Sequence, residues 1–122
     1  MRHEKELPQV TKEWGWEYHH LGIPCSEKKK EEVYISKYKF YVSGFSTSPF
    51  GIEWMRFEKD SPMHPLIQNI PHLAFVVQSL DVELKKRKFK ILNPPNCPME
   101  GVKVAMIEID GAPVELMEFF DV

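Results

Sequence analysis

The chain has 122 residues, 43% of them hydrophobic and 28% charged, a length and balance that suit one folded domain with its own core rather than a disordered chain. Sixteen basic against eighteen acidic side chains leave a formal net charge of −2, which offers nucleic acid or an anionic membrane no general attraction. No apolar run reaches membrane-spanning length and residues 1–17 are charged and polar, so the expected location is cytoplasmic and Cys25 and Cys97 are expected to be free thiols, with a bridge between them left open.

In chain order, residues 1–16 read as an extended lead-in. Residues 17–23 form a short strand stopped by Pro24, and residues 26–32 are almost all charged and hold at most a turn or two of helix. Residues 37–43 alternate as a strand with Tyr38, Phe40 and Val42 on one face. A Ser-, Gly- and Pro-rich loop follows, then a strand over 51–57 and a linker over 59–70. Residues 72–77 are the next strand. Residues 80–89 suit a helix, with Asp81 near its start and basic residues at its end, as the helix dipole favours. Residues 89–92 form a short strand and 93–101 a Pro-rich loop. Residues 102–109 and 113–120 then pair around Asp110-Gly111, a strong hairpin signal. The second half is therefore β-α-β-β-β, and the first half is the same unit with its helix trimmed. The expected organisation is a lead-in over 1–16 and one α+β domain over 17–122, with module one at 17–58, the linker at 59–70 and module two at 71–120.

Two short stretches repeat between the halves. His20-Leu21-Gly22-Ile23 recurs as His72-Leu73-Ala74-Phe75, and the strand around Glu53 recurs around Glu115. His20 precedes Glu53 by 33 residues and His72 precedes Glu115 by 43, a difference of about the length of the missing helix. A repeated core segment normally keeps apolar residues and lets polar ones drift; here the polar ones are kept. Along a strand, residues two apart share a face. His20 thus sits beside Gly22 and His72 beside Ala74, each with a small neighbour that leaves room. Glu53 shares its face with Met55 and Phe57, and Glu115 shares its face with Met117 and Phe119. A carboxylate on an apolar face costs several kcal/mol unless a cation or donors satisfy it. Taken singly, each of these residues reads as an ordinary core imidazole or solvated carboxylate; the paired repetition points to a shared site.

His-Leu-Gly-Ile, a later Glu on a strand, His-Leu-Ala-Phe and a final Pro-Val-Glu-Leu resemble the vicinal oxygen chelate superfamily, which includes glyoxalase, methylmalonyl-CoA epimerase, extradiol dioxygenases and the fosfomycin and bleomycin resistance proteins. The resemblance covers residues 17–120. It implies a glyoxalase-like cup built from two βαβββ modules, often in a homodimer, with His20, Glu53, His72 and Glu115 in the ligand positions. The trimmed first helix departs from the usual pattern. Such a donor set suits one divalent first-row metal, with Zn, Ni, Mn, Co and Fe all compatible.

Three functions remain open at this level. The leading expectation is a metal-dependent lyase or isomerase that chelates vicinal oxygens of a small substrate, with Glu53 or Glu115 as both ligand and catalytic base and with Met55, Phe57, Met117 and Phe119 walling the substrate pocket. A triad of His20, His72 and Glu115 alone suits an Fe(II) extradiol-type dioxygenase, for which His64 and Tyr18 are the candidate acid/base residues. A non-catalytic binding or sequestering protein of the bleomycin-resistance type is the third. His19 alternates to the face opposite His20 and reads as structural, His3 and His64 fall in loops, and Cys25 has no evident partner base. Expected partners are a small molecule and, where the short first module leaves a strand edge open, a second copy of the chain; nucleic acid and membrane are not expected.

Overall fold

Eight strands form one mixed sheet in the computed structural model, which describes residues 5–122. They are β1 (Glu17–Pro24), β2 (Val33–Ile35), β3 (Phe40–Ser43), β4 (Ile52–Phe57), β5 (His72–Val76), β6 (Lys90–Met99), β7 (Val102–Ile109) and β8 (Ala112–Phe119). The three helices are α1 (Gln9–Lys12), α2 (Pro65–Asn69) and α3 (Leu80–Arg87). Strand order is β2-β3-β4-β1-β5-β8-β7-β6.

That order is a duplication written in space. β1 pairs in parallel with β4, β5 pairs in parallel with β8, and the two modules join where β1 meets β5 antiparallel. The two His-bearing strands are therefore neighbours at the centre, each flanked by its own Glu-bearing strand. Register makes the exchange reciprocal: His20 is opposite Ala74, and Gly22 is opposite His72.

Local chemistry accounts for the elements. The Ser79 hydroxyl caps α3 by accepting from the Val82 N–H at 3.3 Å, and Asp81 and Glu83 lie in its first turn. Lys85, Lys86 and Arg87 fill its last turn, and Lys88 at φ 51° ends it in the left-handed region. The turn between β7 and β8 has positive φ at both Asp110 (50°) and Gly111 (85°), the geometry that Asp-Gly favours in a two-residue hairpin. No helix separates β1 from β2. Instead Glu32 accepts two hydrogen bonds from Arg56, at 2.9 and 2.8 Å, and Lys29 lies 4.7 Å over the Trp54 ring, so the charged segment lies over that side of the first module.

Several expectations change. Residues 9–16 are not an extended lead-in: they carry α1, and Trp16 is buried with Val77, Leu80, Ala105, Ile107 and Leu116 in the main core. Trp16 donates to Glu83 at 3.0 Å, and Arg87 stacks 3.6 Å over Trp14, so the segment is held by both packing and charge. The linker holds α2, started by Pro65 and capped by the His64 ring. Tyr38 lies in the turn before β3, and β2 was not foreseen. Residues 93–99, expected as loop, continue β6 despite Pro94, Pro95 and Pro98. The prolines are tolerated because β6 is an edge strand, and its pairing with β7 shifts register three times. His3 lies outside the described residues. Cys25 and Cys97 are unbridged.

Candidate metal centre

The strand order brings three nitrogen and oxygen donors to one point. Potential ligand atoms of His20, His72 and Glu115 all lie within 4.8 Å of one another. His20 Nε2 is 3.1 Å and His72 Nε2 is 3.2 Å from the same Glu115 oxygen, Oε1. The imidazole rings are 5.5 Å apart and nearly perpendicular, and both histidines are buried, each 3% exposed. Glu53 stands further off, with its Oε1 3.7 Å from His20 Nε2.

Gly22 makes this possible. A Cβ there would fall 2.2 Å from His72 Cε1, so the space left by the glycine is filled by the imidazole of the other module. Ala74, fully buried, stands opposite His20.

The carboxylates have different environments. Burial opposes ionisation of Glu115, but its contacts with His20 and His72 outweigh that and hold its pKa at about 2. Glu53 is pushed upward, by burial first, with Glu115 adding to the rise and His20 and His72 opposing it. Burial lowers the His20 pKa, yet the adjacent Glu115 and Glu53 carboxylates turn the net shift upward.

The donors fit a cation. His20 Nε2 is buried and, although close to Glu115, lies out of line for a hydrogen bond and has no hydrogen-bond partner; His72 Nδ1 is likewise unpaired. Two imidazoles and a carboxylate with an unsatisfied buried nitrogen are a donor set for a divalent first-row metal.

The centre opens into a cavity of about 340 Å³. Met55, Phe57, Met117 and Phe119 all line it, as do Tyr38, Phe40 and Val42. Three further groups reach it that strand alternation did not indicate. His19 was expected on the opposite face, but the β1–β5 register slips by one residue between Tyr18 and His20, so two successive histidines turn inward. The His19 ring stacks on Phe45 at 4.8 Å, and its Nδ1 is 2.8 Å from His20 Nδ1, so one ring donates and the other accepts. Asn93 and Asn96 enter from the irregular β6. No alternation signal marks these positions; the doubled histidine was the one visible hint. Neither Tyr18 nor His64 lines the cavity: the Tyr18 hydroxyl donates to Phe50 O at 2.8 Å, and His64 caps α2.

No protein-family model matches the chain, and no curated protein matches it. Solved structures do. Methylmalonyl-CoA epimerase from Mycobacterium tuberculosis superposes with a TM-score of 0.61 at 15% identity, over 86% of this chain and 89% of that one. A hypothetical protein from Bacillus halodurans superposes with a TM-score of 0.54 at 16% identity, over 94% of this chain and 84% of that one. At these identities the likeness is one of fold: the chain has the glyoxalase-like, cup-shaped mixed sheet that the repeated motifs implied.

Proposed function

We propose that the protein is a divalent-metal enzyme of the isomerase or lyase type that takes a small substrate through two neighbouring oxygens. The observation that carries this reading is the convergence of two buried imidazole nitrogens, His20 Nε2 and His72 Nε2, on one Glu115 oxygen at 3.1 and 3.2 Å. His20, His72 and Glu115 would hold the ion, which when bound stabilises negative charge developing on a substrate oxygen.

The two carboxylates divide the labour. Glu115, held ionised at about 2, serves as ligand. Glu53, raised by burial and beyond hydrogen-bond distance of His20, serves as base. It removes the proton from the carbon beside a substrate carbonyl and returns it to the neighbouring carbon or oxygen. The apolar walls keep water from competing for that proton.

Methylmalonyl-CoA epimerase, whose fold the chain shares, is an epimerase, which agrees with proton transfer but does not specify this chain's substrate. The compact grouping of His20, His72 and Glu115 without Glu53 also favours the second reading, Fe(II) oxygen chemistry, and metal identity separates the two. The test is metal content by mass spectrometry after dialysis against Zn, Mn, Co, Ni or Fe(II). One ion per chain is expected in the parent and in Glu53→Gln, and none in His72→Ala. A parent that retains no ion under any condition overturns the reading and leaves a sequestering protein of the bleomycin-resistance type.

A further inference from the structure

Every methionine of the chain except Met1 lines the cup: Met55, Met63, Met99, Met106 and Met117. Such clustering is not required by the fold, since strand faces elsewhere use Val, Ile and Leu. Unbranched thioether side chains adapt their shape and polarise readily, so a wall made of them accepts apolar ligands of varied outline.

The charge inventory is one-sided. Among the described residues no Lys or Arg lines the cup, while Glu53 and Glu115 both do. A carboxylate or phosphate on the ligand would be desolvated there without a cation from the chain and would face two acids. Under the metal-enzyme reading an ion held by His20, His72 and Glu115 would be occupied by the ligand's own vicinal oxygens. An anionic substituent further along the ligand would therefore find nothing to pair with.

One polar group is left over. The Asn96 amide nitrogen donates to Pro94 O at 2.9 Å and to Val104 O at 3.4 Å, two carbonyls that only accept, which fixes the orientation of the amide. Its Oδ1 is consequently an acceptor, and it is buried with no partner. It has almost no accessible surface, so a ligand donor does not reach it; the Asn96 amide instead ties β6 to β7 beside the cup.

We propose that the substrate is a neutral, largely apolar small molecule of variable outline, with vicinal oxygens at the His20–His72–Glu115 end. This rests on the metal-enzyme reading for the placement of the oxygens alone; the exclusion of anions rests on the cup wall.

The test uses protein labelled with 13C-methyl methionine, whose five cup methyls report directly on occupancy. The probes are 1-hydroxy-1-phenylpropan-2-one and its 4-carboxyphenyl analogue. The parent probe should shift the five methyl signals together and leave Met1 unmoved. The carboxylate should bind at least about tenfold more weakly than the parent probe, as expected for a charge desolvated without a partner. Equal or tighter binding of the carboxylate, or no movement of the cup methyls with either probe, overturns the proposal. That comparison needs only the parent protein. Metal content is measured on the same samples. A protein that binds metal but prefers the carboxylate defeats this inference alone, and one that binds no metal but prefers the neutral probe defeats the enzyme reading alone.

Discussion

Gly22→Ala reverses the sign that strand chemistry would give it. A glycine inside a strand ordinarily gains about 0.5–1 kcal/mol on becoming alanine, through lost chain entropy. Gly22 lies within β1 and is not among the positive-φ glycines, so its backbone suits any residue. Yet the new Cβ would meet His72 Cε1 at 2.2 Å, Nδ1 at 2.6 Å and Nε2 at 2.7 Å. The ring must retreat by about an ångström to restore ordinary van der Waals contact, and it is buried with little room. Overpacking of this kind costs about 1–3 kcal/mol, equivalent to a fall in melting temperature of roughly 4–12 °C for a domain this size. The same movement draws Nε2 away from Glu115 Oε1, now 3.2 Å distant, and metal affinity should fall at least about tenfold, as for other disturbances of ligand orientation. Calorimetry and metal titration of Gly22→Ala, His72→Ala and the double variant give the cycle. In the His72→Ala background the obstruction is gone, and Gly22→Ala should be neutral or stabilising. A single variant that melts at or above the parent temperature with unchanged metal affinity would refute the reciprocal packing of the two modules.

Three further outcomes are expected. Trp16→Ala should destabilise by about 3–5 kcal/mol, the usual cost of deleting a buried aromatic, because Trp16 is 4% exposed in the main core; a small loss by denaturant titration would mean that the N-terminal segment is dispensable. His19→Phe keeps an aromatic ring against Phe45 but removes the Nδ1 contact to His20, so metal affinity should drop about tenfold, the lower range for outer-shell partners, with melting temperature nearly unchanged; equal affinity would assign His19 to packing alone. In chelator-treated protein, the stability difference between the parent and Glu115→Gln should be greatest between pH 4.5 and 6.5. Glu115, depressed to about 2, stabilises the fold above the ordinary 4.5 and loses this as pH falls toward 2. His20, raised above 6.5, stabilises it below that value and loses this as pH rises through its folded pKa. Glu53, raised by burial, also weakens the metal-free fold at higher pH, whereas His19, lowered by burial, opposes the effect in acid; both are present in both proteins. A difference that does not vary with pH would sink the pairing.

Much of the site was legible in the chain because duplication repeats chemistry as well as hydrophobicity. His20, His72, Glu53 and Glu115 recur in equivalent short motifs, and period-two alternation puts Met55, Phe57, Met117 and Phe119 on the face of the carboxylates, where all four line the cavity. The hairpin at Asp110-Gly111 and the capped, dipole-matched α3 were equally visible, since each depends on residues within a few positions of one another. What depends on a partner strand was not. Alternation assigns His19 outward, and only the slipped register against β5 turns it into the cup. Proline content marks residues 93–99 as loop, and only their place at the sheet edge lets them remain a strand and present Asn93 and Asn96. Composition makes residues 1–16 a lead-in, and only the apolar face beneath α3 explains why Trp16 is buried. Gly22 shows the same division within one residue. The chain announces a small side chain beside a histidine; which imidazole occupies the space follows from antiparallel pairing of two modules fifty residues apart, a long-range contact that local pattern does not encode.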